Sequence, residues 1–458
     1  MALARDLQPA NANQSAFLHG FSDLAALERS GPCVIERGEG IYVFDRSGRR
    51  YMEGNSGLWN VVLGYDNARL KDAIRRQLER LPAYHGFFGR LPDVTLELAE
   101  RLRAIAPMPT DKVFFTNSGS EANDTAVKML WMVAQAEGHP GRRKFISRIN
   151  AYHGVTVMTA NLTGKAYNKA FGLPTGDVVF AECPHYWRNG RPGESEAVFN
   201  RRMAQDLEML IQREGAETIA GFFAEPVMGA GGVIVPPQGY FQAIQPVLQQ
   251  HGIPLVADEV ICGFGRTGKL WGSQVFGIEP DILVASKCIT AGYFPMGAVL
   301  LSPEMSSRLD DASKLVGEFP HGFTTGAHPV GAAVALEAID ILVGDDYPGR
   351  VSKMAPQLQD GLKRLEAHPI VGEARGIGFM GALEIVANKE TKDPFPADQD
   401  VSERIAAVAL EKGLIIRPLG NAVIIAPPFI ITEHEVDEML AIITETLDTV
   451  GAAVAGRH

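Results

Sequence analysis

The sequence predicts an α/β protein: a large domain with a mostly parallel, helix-flanked sheet, and a smaller α+β domain drawn from the C-terminal region and an N-terminal arm. Three observations lead there. From about residue 60 to 345, short apolar runs alternate with helix-length segments, as strands buried on both faces alternate with their crossovers. After Asp345-Asp346-Tyr347-Pro348-Gly349 the order changes to a helix, strands and two more helices. The chain has 458 residues, 46% hydrophobic and 21% charged, the mixture of an ordinary folded protein with length for more than one core. We divide it into 1–59 (N-terminal arm and hairpin, joining the small domain), 60–345 (large domain) and 346–458 (small domain).

Residues 1–15 are polar and include Asp6, unlike the apolar core of a signal peptide or the acid-poor, Arg-rich text of a transit peptide. A cytoplasmic protein is expected. Residues 39–45 and 49–52 read as a hairpin around Asp45-Arg46-Ser47-Gly48. The strands of the large domain are expected at 112–116, 144–147, 177–181, 219–224, 253–257 and 282–286. Between the first two, Ala122, Ala126, Met129, Leu130 and Val133 recur at helical spacing. The small domain is expected to hold a helix at 351–367, strands at 378–386, 414–417 and 423–426, and helices at 401–412 and 433–450. No internal repeat, heptad run or low-complexity tract is evident.

Several function classes are disfavoured at once. The net charge of −11 argues against a nucleic-acid or anionic-membrane surface, and no apolar window of about 18 residues suggests a membrane span. Cys33, Cys183, Cys262 and Cys288 are far apart without a C-x-x-C pair, so neither a disulfide framework nor a zinc site is expected. The eleven histidines include no H-E-x-x-H, and His321 and His328 flank a glycine-rich loop, so no metal is assigned. A serine hydrolase lacks its G-x-S-x-G anchor.

Four features carry chemistry. Lys287 is the only charged residue between Ile282 and Pro303, so burial would lower its pKa and make it a nucleophilic amine. Taken alone, that segment is better explained by a lysine snorkelling from a strand end. Thr116-Asn117-Ser118-Gly119-Ser120-Glu121 joins an apolar strand to an amphipathic helix, whose free amides suit a phosphate; a plain N-cap by Ser120 is the alternative. Asp258 ends an apolar strand, where it either keeps a heterocyclic nitrogen protonated or caps a loop. Tyr152 and His153 follow another strand, placed either to stack on a cofactor ring or to pack in the core. The loop Gly263-Phe264-Gly265-Arg266-Thr267-Gly268 matches G-x-G-x-x-G and proposes an NAD-dependent dehydrogenase, but no helix pattern follows and Lys287 stands where an acid is required.

A phosphate loop, an aromatic residue, a strand-end Asp and a lone lysine, in that order, together describe binding of pyridoxal 5'-phosphate. With Asn55-Ser56-Gly57-Leu58-Trp59, Ala151-Tyr152-His153-Gly154, Ala224-Glu225-Pro226, Asp258-Glu259-Val260, Ser286-Lys287 and His321-Gly322-Phe323-Thr324, the chain resembles, over nearly its whole length, the class III, fold type I aminotransferases. Within them it is similar to the ω-amino acid:pyruvate or (S)-selective amine transaminases. The resemblance implies that Lys287 bonds the cofactor aldehyde and Asp258 pairs with the pyridine nitrogen. Tyr152 would stack on the ring, Val260 would cover its other face, and Ser118, Gly119 and Ser120 would hold the phosphate. Phe323 and Thr324 would reach the phosphate across a dimer interface, so a homodimer with shared active sites is expected, with a tetramer open. Arg417 would bind the carboxylate of pyruvate or alanine, and Trp59, with Phe88 as companion, would line the apolar side of the donor pocket.

Relatives acting on 4-aminobutyrate or ornithine usually carry Arg where Val155 stands and Glu where Ala230 stands, so both the distal clamp and the residue that parks the substrate arginine are missing. The expected function is transfer of an amino group from a primary amine or ω-amino acid to pyruvate by a ping-pong mechanism. Putrescine, β-alanine, taurine or a biotin precursor is the alternative substrate. The dehydrogenase and a catalytically dead binding protein of the same fold are the rivals from other classes.

Overall fold

The structure, a computed structural model, describes residues 16–174 and 176–455. The polar segment 1–15, with the targeting expectation it carries, lies outside the described residues. Along the chain the strands are β1 (Ile35–Glu39), β2 (Tyr42–Asp45), β3 (Arg50–Glu53), β4 (Lys112–Thr116), β5 (Lys144–Arg148), β6 (Val178–Ala181), β7 (Ile219–Ala224) and β8 (Leu255–Asp258). There follow β9 (Ile282–Ala285), β10 (Gly297–Leu301), β11 (Val371–Ile377), β12 (Met380–Ile385), β13 (Leu414–Ile415), β14 (Arg417–Leu419) and β15 (Ala422–Ile425).

The central sheet has the order β4-β10-β9-β8-β7-β5-β6. β5, β6, β7, β8 and β9 pair in parallel, whereas β10 runs antiparallel to both β9 and β4. The fold is therefore α/β with a mostly parallel sheet, as expected, and β10 is an addition. Only a short 3-10 turn and a glycine-containing loop separate β9 from β10, too little for a crossover helix, so the chain can only fold straight back. The crossovers include the helices Gly119–Ala136, Glu196–Glu214 and Tyr240–Gln250, each of which buries an apolar face.

The C-terminal sheet, β11-β12-β15-β14, is antiparallel and contains a strand, β11, that the sequence does not announce, because Glu373 and Arg375 interrupt its apolar text. The strand expected at 414–417 is divided between two sheets. Leu414 and Ile415 pair in parallel with β3, whereas Arg417 begins a separate ladder with β15. The N-terminal hairpin is correct in its β2–β3 part and is extended by β1, which turns back at Gly40, a position with φ +55°. One apolar cluster links Leu283 and Leu300 of the central sheet through Val334 and Ile339 to Leu358, Phe379 and Val450, crossing residue 346 without a break. Among the described residues no helix is long and apolar enough to cross a membrane.

Candidate active site

A cavity of about 440 Å³ opens at the C-terminal ends of β4, β7, β8 and β9, the usual ligand crevice of such a sheet. Its wall includes Ser118, Gly119, Ser120, Tyr152, Asp258, Val260 and Lys287, residues brought together from 170 positions of sequence. The first of these begin the helix Gly119–Ala136. Ser118, not Ser120, is the N-cap: its hydroxyl accepts the Glu121 amide at 3.1 Å, and Glu121 in turn accepts the Asn117 amide. Ser120 Oγ instead accepts the Val155 amide at 3.2 Å. A helix start leaves its first amides without intrahelical partners, which suits an anion. Gly119 is required there, since a Cβ would stand 2.9 Å from a Val260 methyl.

Asp258 is buried and fully engaged. Its Oδ2 accepts Asn123 Nδ2 at 2.8 Å and faces His153 Nδ1 at 2.7 Å, while Oδ1 accepts the Val260 amide at 3.1 Å. The carboxylate is thus held in one orientation from behind. Sequence reasoning missed both supports. Asn123 was visible as a polar residue beside the apolar face of its helix, but its partner is 135 positions away. His153, whose place after a strand fits stacking or core packing, instead braces Asp258, with its Nε2 buried and unpartnered among the described residues. Glu225 is a second missed wall residue: its carboxylate accepts the amides of Tyr152 and Gly229, and burial raises its pKa.

Lys287 follows β9 with φ +48°, a strained backbone for a residue with a side chain. Its ammonium has no hydrogen bond or ion pair with a described residue. Desolvation lowers its pKa; the negative charge of Asp258 opposes this and Arg417 adds to it. An amine, a fixed carboxylate and a helix start therefore face one cavity, the combination required to hold a cofactor by aldehyde, ring nitrogen and phosphate.

Tyr152 also forms part of a second cavity, about 370 Å³, lined by Lys165, Tyr167, Ala230 and Arg417. Arg417 makes no ion pair or hydrogen bond with a described residue, so the structural ion pair that would explain a buried arginine is not present among them. Desolvation lowers its pKa.

Four residues predicted to serve the site lie outside these two walls. Trp59 is 1% exposed and packs in the apolar cluster with Ile261 and Ala426, because Ser56, Gly57 and Trp59 adopt positive φ and turn Leu58 outward; Asn60 reaches the cavity instead. Phe88 is 85% exposed. Phe323 lines a separate groove with Phe87 and Phe114, and Thr324 is exposed beside Thr325, whose hydroxyl bonds Asn117 Oδ1 at 2.9 Å next to the helix start. No group of three or more metal-ligating side chains occurs among the described residues.

The G-x-G-x-x-G loop has no room for a dinucleotide. Arg266 fills it, buried, donating to the carbonyls of Phe379, Pro427 and Trp59 and to Ser56 Oγ. Only the short helix Gly272–Phe276 follows, and Glu259 caps it.

The aminotransferase class-III family model matches residues 25–447. The chain belongs to the class III aminotransferases. It is 46% identical over 418 residues to the tomato (Solanum lycopersicum) mitochondrial gamma aminobutyrate transaminase 1, covering 91% of this chain and 81% of that protein. A solved aminotransferase from Vibrio fluvialis in its PMP-bound form is 54% identical, with a TM-score of 0.94 over 95% of this chain and 97% of that one. An omega-aminotransferase from Paracoccus denitrificans is 52% identical, with a TM-score of 0.95 over 96% and 98%. Family membership replaces the dehydrogenase reading, and the class III aminotransferase has the fold type I architecture described above.

Proposed function

We propose that this aminotransferase moves an amino group from a primary amine or ω-amino acid to pyruvate by a ping-pong mechanism. The cofactor is pyridoxal 5'-phosphate, which when bound supplies an electron sink for the carbanion formed at the substrate carbon. Lys287 would bond the cofactor and, once released by the donor, carry the proton between substrate and cofactor carbons, a task suited to an amine of lowered pKa. Asp258, braced by His153 and Asn123, would hold a proton on the pyridine nitrogen. Tyr152 and Val260 would enclose the ring, and Ser118, Gly119 and Ser120 would bind the phosphate, with Phe323 and Thr324 contributed from a second copy. Phe88 would border the donor pocket in that dimer, whereas Trp59 packs in the core. A homodimer is the reading, with a tetramer as its possible doubling, in the reducing cytoplasm that four unpaired cysteines favour.

The observation that carries the pyruvate reading is the unpaired Arg417 guanidinium in the chamber that shares Tyr152 with the lysine's cavity. A guanidinium fork fits a carboxylate in bidentate fashion and can swing aside for an apolar amine. The test is alanine formation from pyruvate across a panel of primary amines and ω-amino acids, including putrescine, β-alanine, taurine and a biotin precursor. Absence of alanine with every donor would overturn the acceptor. A second reading, 4-aminobutyrate as donor, is favoured by the names of the plant relatives and tested in the same panel.

A further inference from the structure

The chamber behind Tyr152 is uneven in charge. Among its lining residues Arg188 pairs with Glu384 at 2.5 Å and Arg375 with Glu384 at 2.8 Å and Glu373 at 2.7 Å, and His185 Nε2 lies 2.8 Å from Glu373. By contrast, Lys165 and Arg417 line the same space without an ion pair or hydrogen bond to a described residue, and the acid whose charge reaches Lys165, Glu225, lines the neighbouring cavity. Desolvation lowers the pKa of both; on Lys165 the charges of Glu225 and Cys183 oppose this and that of Arg417 adds to it. Two partly buried cations that repel one another oppose folding unless an anion is to lie between them.

The backbone fixes the root of this lysine. Gly164 donates to the Ala151 carbonyl at 3.0 Å and accepts the Asn150 amide at 3.0 Å, and a Cβ at Gly164 would stand 2.4 Å from the Arg148 carbonyl oxygen. Lys165 is therefore stitched to the segment that presents Tyr152, and only its side chain is free to move. Val155 is 59% exposed and belongs to neither cavity wall.

We propose that Lys165 is a specificity-determining residue which, together with Arg417, binds the far carboxylate of an ω-amino acid donor. The proposal rests on the transaminase reading above. A carboxylate offers about four lone-pair sites; a bidentate guanidinium occupies two, and a lysine ammonium fits a third as a compact charge. Zwitterionic donors would thus span the two cavities, amine at Lys287 and carboxylate in the chamber. The anion clamp of this chain then enters from the strand bridge at Gly164 rather than from position 155.

The experiment uses the loaded enzyme and the variants Lys165→Met and Lys165→Arg, each checked for an unchanged melting temperature. With pyruvate as acceptor, 4-aminobutyrate is compared with butylamine, a donor of the same length without a carboxylate, and binding of unreactive butyrate is measured by calorimetry. In Lys165→Met the preference for 4-aminobutyrate over butylamine, as a ratio of kcat/KM, should fall about tenfold or more through KM, and butyrate should bind about tenfold more weakly. Lys165→Arg should recover most of both. An unchanged ratio with unchanged butyrate affinity, an equal loss on both donors, or a loss confined to pyruvate would each overturn the proposal. Should the wild-type protein form no alanine from any donor, the transaminase reading fails while butyrate binding still decides the role of the lysine.

Discussion

The two cavities that meet at Tyr152 are built to opposite rules. In the first, the acids that face the ligand space are tied from behind: Asp258 by three hydrogen-bonding groups, Glu225 by two amides. In the second, two cations stand without partners among the described residues. Groups that act on one permanently held molecule gain from a single geometry, since misplacement of about 1 Å costs about a hundredfold in rate. Groups that must accept a carboxylate in one half-reaction and tolerate its absence in the other gain from being uncommitted. On the proposed function, the difference would separate where chemistry is done from where substrates are chosen.

This contrast can be broken by substitution. The largest effect is expected at Lys287→Ala, which should abolish turnover and the yellow absorbance of lysine-bound cofactor while circular dichroism stays native. Normal turnover in that variant would remove the first cavity as the site of chemistry. Asp258→Asn should bind cofactor but slow the amine half-reaction by about 10²–10⁴-fold, because an amide cannot balance a charged ring nitrogen. An unchanged single-turnover rate would reduce Asp258 to a loop cap. Arg417→Ala should raise KM for pyruvate and alanine by about tenfold or more while altering a carboxylate-free amine less, given about 1.5–3 kcal/mol for a charged hydrogen bond. Equal losses for the two substrate types would show the second cavity to be structural after all. The smallest effect is expected at Thr324→Ala, about 1 kcal/mol in cofactor affinity for one hydroxyl hydrogen bond. Equal affinities in a titration at matched protein concentration would count against a phosphate contact made by a second copy.

Much of this was readable from the chain because the site sits where apolar strands stop. Asp258 and Lys287 lie at the ends of β8 and β9, and Ser118 caps the helix after β4, so the runs that form the sheet also mark its edge. What escaped notice depends on groups distant in sequence or on backbone geometry. His153 and Asn123 meet Asp258 across 105 and 135 positions, and neither spacing leaves a periodic signature. β11, a half-buried edge strand, carries its charges into ion pairs with Glu384 and within itself, so its text looks polar although it pairs along β12. The inward turn of Trp59 depends on positive φ angles at Ser56, Gly57 and Trp59, of which only the glycine gives any hint. Phe88, Phe323 and Thr324 would be completed by a neighbouring copy, so a single chain leaves them at the surface or in a separate groove.

The arginine inside the glycine loop has a bearing on the order in which the molecule is made. Arg266 Nη1 bonds carbonyls 113 and 161 positions later in the chain, and its Nη2 reaches groups more than 200 positions earlier. A guanidinium this deeply enclosed costs several kcal/mol if its acceptors are missing. On a ribosome two of those acceptors emerge after the arginine itself: Phe379 and Pro427 follow it by 113 and 161 positions. The strands of the central sheet, the last of which ends at Leu301, are all made before Phe379 and Pro427, so the pocket around Arg266 closes only after the sheet's own strands are complete. The large sheet is thereby sealed by a stretch of chain made well after its own strands.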